Sequence, residues 1–246
     1  AYMKNEKQIL ECDRLIALHI WSQIEAGYAS LRYGPVMSAA DTFDIFINGK
    51  GGHGALPHQT IDPVVAGAEL VGALQKVVSR EVSPLDTAVV SVTSFHSGTT
   101  FNIIPNSAHL MGTCRTFNNE LRNHYPDILN RVAQGVAIST RTDIKVEYHW
   151  GPPAMINDSE CVDTGRRAAA KVFGEDKLID YEQQMGGEDF AKYKNPKCLL
   201  MLGGGFSNPE GRFPQHSPYF DIDENVLKLG VEYFVQYVIE YGLENE

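Results

Sequence analysis

The chain has 246 residues, which at about 150 residues per domain corresponds to one large or two modest domains. Hydrophobic residues make up 43% and charged residues 21%, so the composition is that of a globular protein and not of a disordered one. The formal net charge of −10 argues against a general binder of phosphate backbones, and we expect no nucleic-acid partner.

The cysteine spacing and the length of the apolar runs indicate where in the cell the protein works. No apolar run reaches the roughly 18–20 residues that span a membrane, and we expect no membrane partner. The cysteines show no Cys-x-x-Cys spacing, which indicates reduced thiols in a cytoplasmic protein. They are Cys12, Cys114, Cys161 and Cys198. The chain opens at Ala1 without a start methionine and enters an apolar run almost at once, so we interpret it as a fragment.

Hydrophobic periodicity predicts an alternation of strands and helices. Predicted strands cover 15–20 (buried), 27–33 (closed by Gly34-Pro35), 42–49, 87–95, 108–117, 144–149 and 198–202 (followed by a Gly-rich loop at 203–205), and predicted helices cover 63–80, 119–140, 159–173 and a segment from Asp223 onward. Asp62 before Pro63 is a typical N-cap and first-turn pair. For the last helix we predict an apolar face made of Val226, Leu227, Leu229, Val231 and Phe234.

The order of these elements predicts a domain inserted into another. Residues 42–150 follow the order strand, helix, strand, strand, helix, strand, which is typical of a split βαβ, ferredoxin-like sandwich with two helices on one face of an antiparallel sheet. We therefore predict an inserted α+β domain at 41–151, with 1–40 and 152–246 together forming a second, incomplete α/β unit.

Two histidines of the α/β unit are candidate metal ligands. His19 ends a predicted strand, where α/β sheets place functional groups, and His216 lies in a loop before the last helix. Neutral imidazoles commonly bind zinc and similar ions, but two ligands are fewer than a catalytic site uses. Taken singly, His19 also fits a hydrogen-bonded core histidine and His216 a surface residue.

Three residues of the inserted domain are further candidates. His53 lies among glycines in the stretch 49–58, where backbone or substrate can approach closely, although a turn with an incidental histidine fits as well. Asn102 precedes Ile103-Ile104-Pro105. Arg115 lies in a strand, where it either meets a carboxylate or faces solvent, and alternation alone does not decide between these.

The ordered motifs together resemble one family. They are Leu18-His19-Ile20, Gly34-Pro35-Val36-Met37-Ser38-Ala39-Ala40-Asp41, Gly51-Gly52-His53-Gly54-Ala55-Leu56-Pro57-His58, Asp62-Pro63, Asn102-Ile103-Ile104-Pro105, Gly112-Thr113-Cys114-Arg115-Thr116-Phe117, Met185-Gly186-Gly187-Glu188-Asp189-Phe190 and His216-Ser217-Pro218-Tyr219-Phe220. They resemble the aminoacylase/hippurate-hydrolase branch of the dinuclear metallopeptidase superfamily, which also contains carboxypeptidase G and succinyl-diaminopimelate desuccinylase. The branch includes bacterial N-acyl-amino-acid amidohydrolases and plant auxin-conjugate hydrolases, and the resemblance covers nearly the whole chain.

The resemblance implies a role for each candidate residue. His19 and His216 match metal-binding histidines. His53 matches a catalytic histidine of the inserted domain, which in relatives is a lid and dimerisation domain, and this histidine crosses the dimer to polarise the scissile carbonyl. Asn102 and Arg115 match substrate-holding residues, Arg115 through the substrate carboxylate. The loop 185–190 matches one near the metal site, in a supporting role.

The resemblance also implies the chemistry: two divalent ions, Zn or Mn, and a homodimer formed through the lid domain that cleaves the amide bond of an N-acyl amino acid. Two motifs of the family are missing, the first metal-binding segment and the Glu-Glu-Gly motif with the catalytic base. We therefore expect the fragment itself to be inactive and allow for its being metal-free. The alternatives are a dipeptidase or carboxypeptidase of the same superfamily and a non-catalytic dimerisation module. A Glu-Glu-Gly motif just before Ala1 would support the enzyme, and its absence would support the dimerisation module.

Overall fold

The computed structural model describes residues 12–244. The opening stretch of the chain discussed above lies outside the described residues. Within them the chain divides into two compact units, each described here by itself. The first unit contains the residues up to Val36, Met155–Gln184 and the residues from Phe190 onward, and the second contains Met37–Ala154 and Met185–Asp189. No helix in residues 12–244 combines the length and apolar character that crossing a bilayer requires.

The regular elements follow in chain order. The strands are β1 (Leu15–Glu25), β2 (Ala29–Ser30), β3 (Gly34–Met37), β4 (Ala39–Asn48), β5 (Gly52–His53), β6 (Ala88–Ser97), β7 (Ile103–Ile104), β8 (Ser107–Thr116), β9 (Asp143–His149), β10 (Met155–Asn157) and β11 (Lys197–Gly205). The helices are α1 (Pro63–Lys76), extended by a π-helical turn at Val77–Glu81, α2 (Asn119–Thr140), α3 (Ser159–Phe173) and α4 (Leu227–Glu244). Short 3-10 turns lie at Pro57–Gln59, Glu175–Lys177, Asp189–Lys192, Pro209–Gly211 and Glu224–Val226.

The second unit is the predicted ferredoxin-like sandwich. Its four long strands pair in the order β6-β8-β4-β9, every pair antiparallel. Strict alternation along β4 buries Phe43, Ile45 and Ile47 against one core, in which Leu70 of α1 and Leu129 of α2 also lie. The even-numbered residues of β4 point to the opposite face of the sheet, so the site residues on these strands are sorted by the same alternation.

The helix starts follow from local capping and confirm the predicted boundaries. The Asp62 carboxylate accepts a hydrogen bond from the Val64 amide at 2.8 Å, and Asn118 caps α2 in the same way through the Glu120 amide at 2.9 Å. Asp158 caps α3. These side chains satisfy amides that have no partner inside the helix.

The first unit contains a parallel strand pair. β1 lies parallel to β11, with Leu15 opposite Lys197 and His19 opposite Met201, and β2 lies antiparallel on the other side of β11. β3 and β10 form a separate two-stranded sheet. The core of this unit lies between the sheet and the two helices α3 and α4, and its fully buried members include Cys161, Leu200 and Tyr233.

Three predictions for the strands of this unit were wrong in their extent. The run 27–33 forms a strand only at Ala29–Ser30, and Gly34 opens β3 rather than closing a strand. The run 15–20 is half-buried rather than buried. Residues 203–205 continue β11 instead of forming a loop, because Gly203 and Gly205 lie against the backbone of β1 and its following turn, where a Cβ would come within 2.1–2.2 Å of carbonyl oxygens.

The predicted apolar face of the last helix was also wrong. α4 buries Gly230, Tyr233, Tyr237 and Glu240, with Val226 buried in the preceding turn. Leu227 and Val231, two members of the predicted apolar face, are 49% and 64% exposed. The helix is apolar on more than one side, so its periodicity alone does not identify the side that packs on the core.

Candidate metal and substrate site

His19 is held by the backbone of its own strand. Its Nδ1 lies 2.8 Å from the Ile20 carbonyl oxygen. Because a carbonyl only accepts, Nδ1 must carry the hydrogen, and in the neutral ring Nε2 then keeps its lone pair. Metal-binding histidines usually donate their other ring N–H to a carbonyl or a carboxylate. The environment of His19 therefore fits a metal ligand that acts through Nε2.

Trp21 packs against the same imidazole. The two rings meet edge to face with centroids 5.2 Å apart, and Trp21 is only 6% exposed. Trp21 also contacts the ring of Tyr181, with the ring centroids 6.3 Å apart. This aromatic packing restricts the rotation of the His19 ring in addition to its hydrogen bond.

His216 lies in the irregular segment between β11 and α4. Its side chain is exposed, and its backbone has a φ of +67°, a left-handed conformation that is uncommon for a residue other than glycine. Such strain persists only where the surroundings determine it, and it is frequent at functional sites.

The segment carrying His216 lies along the C-terminal half of β1. Arg212 donates to the Glu25 carboxylate at 2.8 Å, the Ser22 hydroxyl donates to the Phe213 carbonyl at 2.6 Å, and the Gln215 amide donates to the Ile20 carbonyl at 3.3 Å. The segment therefore runs antiparallel to β1. These contacts attach residues 212–215 to the part of β1 that follows His19, and His216 comes directly after them in the chain.

His19 and His216 remain candidate metal ligands of the first unit. No cluster of three or more His, Cys, Asp or Glu side chains within residues 12–244 is arranged to hold a metal ion. The chemistry of the two rings nevertheless fits a zinc or manganese site as part of a larger ligand set, since neutral imidazole is a preferred ligand of such ions.

His53 of the second unit has the opposite hydrogen bonding. The Ala55 backbone amide donates to Nδ1 of His53 at 3.0 Å, so Nδ1 is the acceptor and the hydrogen of the neutral ring is on Nε2. The side chain is exposed. The arrangement presents an N–H donor, not a lone pair, to any group that approaches Nε2.

Asn102 lies beside His53 because two short strands pair there. β5 and β7 are antiparallel, with His53 opposite Ile103, and the Gly54 amide donates to the Asn102 carbonyl at 2.8 Å. A Cβ on Gly54 would lie 3.1 Å from that carbonyl oxygen, which explains the glycine after His53. The structure thus brings two of the three candidate residues of this unit together.

Arg115 lies at the other end of the sheet. It is half-buried on β8, opposite Ala40 and Val89, on the face away from the helices. Its guanidinium lies beside Gly187 in the loop Met185–Asp189, with Nη1 3.6 Å from the position of a Cβ on that glycine. Within residues 12–244 no carboxylate forms an ion pair with Arg115. A half-buried guanidinium without a carboxylate is suited to bind one from a ligand.

The sequence analysis missed a second arginine, which does meet a buried carboxylate. Asp41 is 1% exposed and accepts two bonds from Arg122, both 2.8 Å long. It also accepts from the Tyr148 hydroxyl and the Gly151 amide, each at 2.8 Å. Burial, with the bond to Asp41, raises the pKa of Tyr148. The position of Asp41 could have indicated this partner. Asp41 lies two residues before Phe43 in β4, so both side chains point to the buried face, where a carboxylate without a partner is very unfavourable.

A ferredoxin-like unit inserted into an α/β unit, with histidines whose chemistry is compatible with a metal, is the arrangement expected of a metal-dependent hydrolase. A family model described as peptidase family M20/M25/M40 matches residues 2–240 of the chain. The chain belongs to this family.

Individual relatives agree with this assignment. The N-acetylcysteine deacetylase of Bacillus subtilis is 35% identical over 229 residues, covering 92% of this chain and 58% of the deacetylase. The N-acyl-L-amino acid amidohydrolase of Geobacillus stearothermophilus is 43% identical over 148 residues, 60% of this chain and 40% of the relative. The YXEP protein of Bacillus subtilis, described as a dinuclear metal binding peptidase of the M20 family, superposes with a TM-score of 0.78 at 28% identity, covering 96% of this chain and 59% of that one. The matched regions therefore cover between 40% and 59% of the length of these relatives.

Proposed function

We propose that this chain contributes to a metal-dependent amidohydrolase that cleaves the amide bond of N-acyl amino acids. The observation that carries the proposal is the orientation of His19, whose Nδ1 is bonded to the Ile20 carbonyl, together with the attachment of the residues before His216 to the same strand. The Geobacillus relative is named an N-acyl-L-amino acid amidohydrolase, and its likeness supports the substrate class.

His19 and His216 would hold divalent ions, Zn or Mn, within a dinuclear site. When bound, such ions polarise the acyl carbonyl and lower the pKa of a coordinated water. The contribution of this chain is to present Nε2 of His19 as a neutral ligand, because the Ile20 carbonyl keeps the hydrogen on Nδ1.

His53 would stabilise the negative charge that develops on the acyl oxygen during attack. The Ala55 amide fixes the neutral ring with its hydrogen on Nε2, and this hydrogen can be donated to the oxyanion without first protonating the ring. Asn102, tied to the same turn through the Gly54 amide, would hold the substrate next to it.

Arg115 would bind the α-carboxylate of the substrate, but not in the same site as the His53 of its own chain. His53 pairs with β7, which directly precedes β8, so His53 lies toward the Ser107 end of β8. Ser107 and Arg115 are eight residues apart on β8, which corresponds to about 26 Å at the rise of an extended strand. A small acyl amino acid does not span this separation. We therefore infer a homodimer in which His53 and Asn102 of one copy complete the site containing Arg115 of the other.

The compartment and the activity of the isolated chain are part of the proposal. Residues 12–244 contain no disulfide, which supports a cytoplasmic location. Residues 1–246 by themselves should not turn over substrate, because His19 and His216 would supply only two of the three or more protein groups that a catalytic metal site uses.

The test is a chimera in which this chain replaces the matched segment of the Bacillus subtilis N-acetylcysteine deacetylase. We expect zinc- or manganese-dependent hydrolysis of N-acetyl and N-benzoyl amino acids, and none from residues 1–246 alone. Preference for unblocked dipeptides would support the peptidase alternative. A folded chimera that dimerises and binds metal but hydrolyses neither class would contradict the proposal and favour a non-catalytic dimerisation module.

A further inference from the structure

We propose that an exposed apolar stripe on α4 is the surface against which the part of the protein outside this chain packs to complete the first unit. This α4 stripe consists of Leu227, Val231, Phe234, Val235 and Val238. The inference concerns the assembly of the protein. It goes beyond the proposed function, because it depends neither on the substrate nor on the metal.

The α4 stripe is one continuous face of the helix. Its residues follow one another at spacings of four, three, one and three positions, and positions three or four apart are neighbours on a helix surface. Each of the five side chains is between 39% and 66% exposed. A contiguous apolar patch of this kind is uncommon on the surface of a monomer and usually marks an interaction site.

The other sides of α4 already have their contacts. Toward α3 the helix is polar, because the buried Glu240 carboxylate accepts from Lys171 and from Gln236, each at 2.6 Å. Toward the sheet it presents Gly230, where a Cβ would lie 3.2 Å from the Leu18 side chain. Packing on α3 and on the sheet therefore leaves the α4 stripe open to solvent.

The α4 stripe meets the open edge of the sheet. A groove of about 270 Å³ is lined by Val238, Tyr237 and Tyr241 of α4, by Ile16 of β1 and by residues 12–14 before it. β1 pairs with β11 on one side, and among residues 12–244 no strand pairs with its other edge. The Leu15 amide donates to the Pro196 carbonyl on the β11 side, so the backbone groups of Ile16 point to the open edge. An apolar helix face and an unpaired strand edge thus adjoin one groove.

The part of the protein outside this chain is the occupant that fits this surface. The matched region covers 58% of the Bacillus subtilis deacetylase, so a large part of that relative has no counterpart here. Parallel strands are joined through crossovers, usually helical, that pack on the sheet. A further parallel strand at the β1 edge would therefore bring a helix beside α4. A second copy would cover the α4 stripe but leave β1 without a parallel neighbour on that side.

The experiment places a thiol on the α4 stripe and measures whether the rest of the protein covers it. Val231→Cys is made in residues 1–246 and in the chimera with the deacetylase, and its alkylation by iodoacetamide is followed by peptide mass spectrometry. In residues 1–246 the thiol should react like a free cysteine. In the chimera it should react at least roughly 100-fold more slowly, because a buried thiol reacts only when the structure opens locally. Glu232→Cys, an exposed neighbour outside the α4 stripe, is the matched control and should react equally fast in both proteins.

Two charges on the α4 stripe give a second measurement. Val231→Lys combined with Val238→Lys should leave the thermal midpoint of residues 1–246 near that of the wild type and should reduce binding of the dye ANS, because both positions are exposed there. In the chimera the same pair should lower the midpoint by on the order of 10 °C, since it buries two charges without partners.

The outcomes separate the occupants. Equal reactivity of Val231→Cys and Glu232→Cys in the chimera would overturn the inference. Protection of Val231→Cys already in residues 1–246 would also overturn it: protection that is lost on dilution would assign the surface to a second copy, and protection that persists would assign it to the chain itself. Hydrolysis by the chimera is a separate measurement. An inactive chimera with a protected thiol would contradict the proposed function and leave this inference standing.

Discussion

A backbone group contacts Nδ1 of both His19 and His53, but the hydrogen bonds run in opposite directions and leave different groups at Nε2. In the first unit a carbonyl accepts from Nδ1 of His19, and in the second unit an amide donates to Nδ1 of His53. The same side chain therefore offers a lone pair at Nε2 in one case and an N–H at Nε2 in the other. The position of the hydrogen on each neutral ring is set by one backbone group within two residues of the histidine.

Two arginines of the second unit, Arg115 on β8 and Arg122 on α2, show the same dependence on neighbours. Arg122 is neutralised by the buried Asp41, whereas Arg115 has no carboxylate partner within residues 12–244. The paired arginine stabilises the sheet and the start of α2. The unpaired one stays available to a ligand, so the pair separates a structural role from a proposed binding role.

We expect the largest loss of stability when Arg122 loses its partner Asp41. Asp41→Ala leaves the Arg122 guanidinium without its carboxylate in a site that is nearly closed to solvent, and removing one partner of a buried ion pair typically costs about 3–5 kcal/mol. Urea denaturation of the purified chain measures this loss. Asp127→Ala, a change of the same type on α2, is the control and should cost far less. Similar stabilities for the two variants would show that the Asp41 network does not stabilise the unit.

The comparison of the histidines is tested by His53→Ala in the active chimera. Loss of one oxyanion donor lowers kcat by about 10²–10³-fold, with KM changed much less, because the interaction forms mainly in the transition state. His58→Ala, which changes an exposed histidine of the same loop, should leave kcat near the wild-type value. A His53→Ala variant in which KM rises and kcat is unchanged would instead place His53 in ground-state binding.

Arg115→Gln should weaken substrate binding by about 10–100-fold, the worth of a hydrogen-bonded charge pair of roughly 1.5–3 kcal/mol. The measurement is KM for an N-acetyl amino acid and for the same N-acetyl amino acid with its α-carboxylate converted to an amide. The variant should lose affinity only for the first substrate. Equal effects on both substrates would remove the carboxylate-binding role. Arg131→Gln, on the exposed side of α2, is the matched control.

Features determined by local chemistry were predictable from the sequence. The starts of α1, α2 and α3 coincide with the predicted ones because Asp62 and the equivalent caps act on amides two or three residues away. The split βαβ order likewise follows from periodicity, since the period changes from two to 3.6 between elements.

Features that depend on distant neighbours were not predictable. The buried side of α4 depends on packing against α3 and the sheet, and its sequence offers apolar residues to both sides. Asp41 and Arg122 are 81 residues apart, so no local pattern joins them. Whether Arg115 met a carboxylate was left open by alternation, and the answer required the register of β8 against β4.

The smallest effect we expect is a change in how stability depends on pH, and it concerns buried thiols in both units. Burial raises the pKa of Cys114 in the second unit to about 12, and those of Cys161 and Cys198 in the first unit to about 11 and about 12. Above pH 9 an unfolded thiol loses its proton while these folded ones keep theirs, so the unfolded state binds fewer protons and stability falls as pH rises. Each such thiol contributes a slope of about −1.4 kcal/mol per pH unit once its unfolded form is ionised. Denaturation under reducing conditions between pH 8 and pH 10 should therefore show a shallower decline in Cys114→Ala and in Cys198→Ala than in the wild-type chain. An unchanged slope in either variant would mean that its thiol is accessible to solvent in the folded unit, contrary to the packing described above.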